Sequence, residues 1–221
     1  MGEIDRISLE NGICCALSHS AYLIEDATIM YLADRIPSSF HLAVMAREEL
    51  GRANLLWKRS AAMGEADTIE ADLVIRELQD HKTKLDAGQS TTHFTLPPEM
   101  MAAWTAALEK NDKPALDLIR QKRKQIVAQV RKHDPGRLHR RRLRAQYVHL
   151  NQDGTWSKPS EIERKEAHEL ILTVASEISG TLLEAEDDKR IRDICARAQQ
   201  PLPTYAEFEA RVMTRVLSAD A

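Results

Sequence analysis

Aromatic residues are scarce in this chain: three tryptophans, four tyrosines and three phenylalanines make up 5% of 221 residues. Glycine and proline are also few, at eight each. A sandwich or barrel needs more turn punctuation and more aromatic or β-branched residues, so the composition argues against an all-β fold and favours helices. The three cysteines (Cys14, Cys15 and Cys195) include an adjacent pair, match no zinc spacing and make no even disulfide framework, which points to reduced thiols. No apolar run approaches the roughly 18 residues of a membrane span. The start, Met1-Gly2-Glu3-Ile4-Asp5, lacks the basic and apolar parts of a signal peptide. A soluble cytoplasmic protein is the expectation. The sequence also has no Glu-x-x-His pair, which removes the usual di-iron signature, and no Gly-rich phosphate loop or Gly-x-Ser-x-Gly elbow.

Charge, by contrast, is plentiful and unevenly spread. The net charge is −3. Residues 1–119 carry 11 Lys/Arg against 19 Asp/Glu, residues 120–144 carry 11 against the single Asp134, and residues 145–221 carry 9 against 14. A basic block within an acidic chain attracts a polyanion locally while the protein stays soluble. Four arginines within Arg140–Arg144 exceed what helical ion pairing uses, which favours nucleic acid or another phosphate ligand over a solvated helix face.

Helical periodicity dominates. Leu9, Ile13, Ala16, Leu17, Ser20, Leu23, Ile24, Ala27 and Tyr31 predict a first helix over about residues 5–34. A second follows Pro37, with Ser38 or Ser39 as its cap, and stops near Met63-Gly64. A third covers about 67–87. Shorter helices open at Pro97-Pro98 and Lys113-Pro114, the latter ending before Asp134-Pro135-Gly136. Residues 144–158 read as non-helical, with a small hairpin around Asp153-Gly154. A long helix runs from Ser160 to about Glu186, another reaches Gln199, and Pro203 opens the last. The expectation is an all-α bundle over residues 1–186 with a helical C-terminal extension over 187–221.

On a wheel of about 100° per residue, Leu42, Met45, Ala46, Ala53 and Leu56 form one stripe on the second helix. Glu49 falls inside it, and a core-facing carboxylate is costly unless paired, so Glu49 is either half of a buried ion pair or an acid that orients a catalytic partner. Glu48 lies about a quarter turn away and reads as a boundary residue near His41, Arg52 and Arg59. On the third helix Val74, Leu78, His81 and Leu85 share a side, with Lys84 close by. Arg144-x4-His149 closes the basic block, and similar Arg-to-His spacings at Arg76/His81, Arg35/His41 and Arg142/His149 recur too often for spacing alone to select a pair.

Three segments resemble one family. Ala46-Arg47-Glu48-Glu49-Leu50-Gly51-Arg52-Ala53 is similar to the Ala-x-Glu-Glu-Leu-Gly-Lys-Ala segment of AbiV-type abortive-infection proteins, helical bundles of the HEPN superfamily. His81-Lys82-x-Lys84-Leu85 resembles their His-Lys-x-Lys-Leu motif. Arg144-Ala145-Gln146-Tyr147-Val148, followed by Trp156 and Pro159, resembles their Arg-x-Leu-Tyr-Val-Asp segment. The likeness spans about residues 10–185. Arg52 replaces the lysine, Gln146 a leucine, and His149 stands where the family commonly has Asp. The resemblance implies an antiphage role and metal-independent, cofactor-free RNA cleavage by a homodimer, with tRNA, rRNA or mRNA as substrate and a phage-encoded activator or cognate antitoxin as further partner. RNA supplies its own 2′-hydroxyl nucleophile, so the protein contributes a base, an acid and charge stabilisation. His81 or His149 would move protons, while Arg144 and Lys84 neutralise the phosphate. Glu49 would fix a histidine or Arg144, and Tyr147 would donate a hydrogen bond or stack on a base. Glu48, Arg52, Arg140, Arg141 and Arg142 would hold substrate. The other reading is a non-catalytic module that binds RNA, nucleotide or a phage protein through residues 120–144.

Overall fold

A computed structural model describes residues 2–88, 106, 112–115, 118–119, 135–147, 149–150, 154–187, 189–197 and 202–218. Strand β1 (Glu3–Asp5) leads into α1 (Arg6–Leu32) and α2 (Ile36–Ala61), then β2 (Thr68–Glu70), α3 (Ala71–Gln79) and α4 (His81–Ala87). After α5 (Pro135–Gln146) come β3 (His149–Leu150), β4 (Trp156–Ser157) and a 3₁₀ turn (Pro159–Glu161). The chain ends with α6 (Arg164–Asp187), α7 (Lys189–Arg197), α8 (Tyr205–Arg211) and α9 (Met213–Ser218). The all-α expectation holds, hairpin and helical C-terminal part included. The helix expected from Pro97 and most of the one expected from Lys113 lie outside the described residues.

Asp5 caps α1 by accepting from the Ser8 N–H at 2.8 Å. A turn with Asp34 at φ 59 then folds α2 back antiparallel along α1. The register is fixed by two buried hydroxyls: Ser20 donates to the Ala46 carbonyl at 2.7 Å and Ser39 to the Ala27 carbonyl at 2.8 Å. Ser39 is therefore a cross-helix tie and no cap; α2 opens at Ile36 with no capping side chain. All nine apolar or small positions expected inward on α1 are buried. They pack with Phe40, Val44 and Leu50 of α2 and Ile171, Val174 and Ile178 of α6.

The structure corrects further local expectations. Arg144, Ala145 and Gln146, expected outside any helix, form the last turn of α5. Residues 68–70 form a strand opposite β1, with Ile4 facing Ile69, where a helix was expected to begin. The expected third helix is two helices, broken at Asp80, whose ψ of 107° is extended and whose carboxylate caps the Lys82 N–H at 3.0 Å. Ser160 lies in the 3₁₀ turn, and α6 starts at Arg164.

The C-terminal helices dock onto the same body, since Phe208, Val212 and Val216 join the core of α1, α2 and α6. Cys14 of α1 and Cys195 of α7 form a disulfide, with Cα atoms 5.5 Å apart, against the expectation of reduced thiols. Their separation of 181 residues hid a pair that the return of α7 across α1 brings together. Cys15 is free and exposed. No helix among the described residues is long and apolar enough to cross a membrane.

Candidate active site

Helix α2 is covered on several sides: α1 lies along one, and α4, α5 and α6 close over others. This changes which carboxylate is buried. Glu48, read as a boundary residue, is 4% exposed, whereas Glu49 is only partly buried and pairs with Arg52 at 3.0 Å. Glu49 and Arg52 line a groove of about 530 Å³ between α1, α2 and α3. A wheel shows one stripe; it carries no sign of the second face that α4 and α5 cover.

The α2–α4 approach depends on two glycines. A side chain at Gly51 would strike the Lys84 carbonyl, and one at Gly88 would strike the Arg47 carbonyl. The close crossing sets the first turn of α4 over Glu48. Because the helix restarts at Asp80, His81 begins α4 and leaves the apolar face expected for it. Its Nδ1 lies 2.8 Å from Glu48 Oε2. Lys84, one turn on and 4% exposed, brings Nζ to 3.8 Å from the same oxygen.

Helix α5 closes the cluster. Arg142 Nη1 stands 3.6 Å from Glu48 Oε1, and His139, one turn earlier, stacks on His81 with ring centroids 5.0 Å apart. His41 shares the Glu48 face of α2 by helical spacing. Burial, reinforced by Arg142, holds both His41 and His139 below the ordinary imidazole range. Burial likewise lowers Lys84, with Glu48 opposing the shift. A carboxylate accepts, so His81 donates its Nδ1 proton to Glu48 and leaves Nε2 for proton transfer. His81 keeps 44% of its side chain exposed, so this buried acid opens to solvent through an imidazole.

Arg141 and Arg144 turn away from the cluster. Arg141 forms a two-bond pair with Glu166 of α6, one bond at 2.9 Å. Arg140 and Arg144 are exposed, and Arg144 lies about 200° around α5 from Arg142. Tyr147 is 52% exposed. The backbone of His149 pairs with Ser157, and its side chain lies outside the described residues. Expectation thus joined Glu49 to Arg144; the structure joins Glu48 to Arg142. His139 and His41 were missed as site residues. The His139-x-x-Arg142 spacing, which shares one helix face, was the available signal.

The family model for AbiV, of the HEPN group, matches residues 8–180. The chain belongs to the AbiV family. Its matched region runs from α1 through most of α6, contains every residue of the Glu48 cluster and stops before Cys195. Comparison with curated proteins and with solved structures found no match. Within the AbiV segments, Gly51 is explained by the helix crossing, Glu48 by its buried partners, and His81 and Lys84 by convergence on that carboxylate.

Proposed function

We propose that this AbiV-family protein is an abortive-infection effector that cleaves RNA without a metal, by attack of the 2′-hydroxyl on the adjacent phosphodiester. The observation carrying this reading is the solvent-edge cluster of Glu48, His81, His139, Lys84 and Arg142. Its imidazoles supply two proton-transfer groups side by side, and its two cations suit the charge that develops at phosphorus. His139, whose neutral form is favoured by burial and by Arg142, takes the 2′-hydroxyl proton. His81, doubly protonated for this step with its Nδ1–H on Glu48, gives its Nε2 proton to the departing 5′-oxygen. Attack forms the bond from the 2′-oxygen to phosphorus and breaks that from phosphorus to the 5′-oxygen, leaving a 2′,3′-cyclic phosphate and a 5′-hydroxyl.

The exposed arginines of α5 favour RNA as the polyanion. The apolar side chains Ile7, Tyr22, Ile29 and Met30 on the outer side of α1 favour a second copy of the chain as a partner. Pure protein incubated with RNA in EDTA tests the reaction: cyclic-phosphate ends are expected from wild type and none from His81→Ala. In cells, wild type should arrest growth and reduce phage yield, and His81→Ala should do neither. Arrest that survives His81→Ala and follows only charge removal from residues 137–144 would replace this reading with the non-catalytic one.

A further inference from the structure

Glu48, His81 and His139 bring one carboxylate oxygen and two imidazole nitrogens within 4.8 Å of one another. We propose that these three side chains form a reversible site for one zinc-class divalent transition-metal ion. Two imidazoles and a carboxylate are the donor set of open zinc and non-haem iron sites, and nitrogen donors select such ions over magnesium or calcium. Three protein ligands leave the fourth position to water.

The geometry is close to what such an ion needs. Glu48 and His81 already sit 2.8 Å apart, and the ion takes the place of the proton between them. Metal–ligand bonds of about 2.0–2.2 Å require His139 to turn inward. Its Nδ1 has no hydrogen-bond partner, so the turn breaks no bond there, only the stack on His81. Arg142 faces Oε1 at 3.6 Å and Lys84 faces Oε2 at 3.8 Å; neither makes a hydrogen bond to the carboxylate. Arg142 becomes an outer partner of the ligating carboxylate. The repulsion from both cations makes the site exchangeable, unlike a closed structural zinc site.

A further consequence rests on the RNA-cleavage reading. An ion held here takes the lone pair that His139 uses as base and displaces the Glu48–His81 hydrogen bond that orients the acid, so zinc would inhibit cleavage and a chelator would relieve it.

The test is a titration of chelator-stripped full chain with Co²⁺, followed by visible absorption, and with Zn²⁺, followed by calorimetry. One ion per chain is expected, with Zn²⁺ displacing Co²⁺. The His81→Ala/His139→Ala double variant, its helix content checked by circular dichroism, should bind none. His139→Asn, a milder change at a partly buried position, should weaken binding by about tenfold or more, the least that losing even an outer partner costs. No binding by wild type, or undiminished binding by either variant, overturns the site. Zinc binding without inhibition of cleavage leaves the site standing and counts against the RNA reaction alone.

Discussion

Arg47 and Glu48 are adjacent on α2, both buried and both charged, yet they enter opposite kinds of environment. Arg47 turns toward α6, where it meets Glu177 at 3.7 Å; the two side chains are 0% and 1% exposed. None of the side-chain nitrogens of Arg47 or carboxylate oxygens of Glu177 makes a hydrogen bond. Glu48 turns toward α4 and α5, meets three basic groups, and reaches solvent through His81. The sealed pair has no route to a ligand, whereas the open cluster does. Burial of charge alone therefore does not mark a site; the exposed imidazole does.

The largest effect expected of this contrast is on activity. His81→Ala should lower RNA cleavage by about 10²–10⁴-fold, the range for loss of a proton-transfer group. Its urea midpoint should stay near that of wild type, because a partly exposed histidine leaves no cavity. Equal losses of activity and stability would make His81 structural. The sealed pair should behave in the opposite way. Glu177→Ala leaves the Arg47 charge buried alone and should cost about 3–5 kcal/mol in urea unfolding. Replacing both partners with methionine at 47 and leucine at 177 should recover most of that loss, and the folded double variant should still cleave RNA.

A smaller effect separates the two clusters by pH. Burial raises the Glu177 carboxyl to about 7, with Arg47 opposing the shift. The folded chain thus keeps a proton that the unfolded chain releases at lower pH. Its stabilising contribution is complete below the unfolded value and is lost as the pH rises to about 7. Glu177→Gln has no proton to lose, so its stability relative to wild type should be greater at pH 8 than at pH 5. A constant difference between the two proteins across that range would mean that Glu177 stays ionised within the fold.

The bundle was legible because α1, α2 and α6 are long and their apolar spacing survives packing; every inward position read on α1 is buried. The site was legible only as residue types. Glu48 and Glu49 differ by one step around a helix, and which of them is buried depends on α4 and α5, elements far away in sequence. The break at Asp80 was in principle readable, since an aspartate that caps the next turn is a standard start signal, but the apolar spacing from Val74 to Leu85 runs straight across it. The Cys14–Cys195 bridge depends entirely on the return of the C-terminal helices and left no local trace.

The smallest expected effect concerns the two faces of α5. Arg142 points into the cluster, while Arg137, Arg140 and Arg144 recur at the spacing of one helix face and are all exposed. Outer arginines that contact RNA phosphates add affinity without taking part in the chemical step. Arg144→Ala should therefore weaken RNA binding modestly, reduce the salt dependence of that binding by roughly 0.7–0.9 in log–log slope, and leave cleavage at saturating RNA unchanged. Arg142→Ala should do the reverse, lowering the saturated rate more than the affinity, because its guanidinium sits beside Glu48. If Arg144→Ala lowers the saturated rate while binding holds, Arg144 reaches the phosphate during the reaction, as its motif implies, and the division between the two faces of α5 fails.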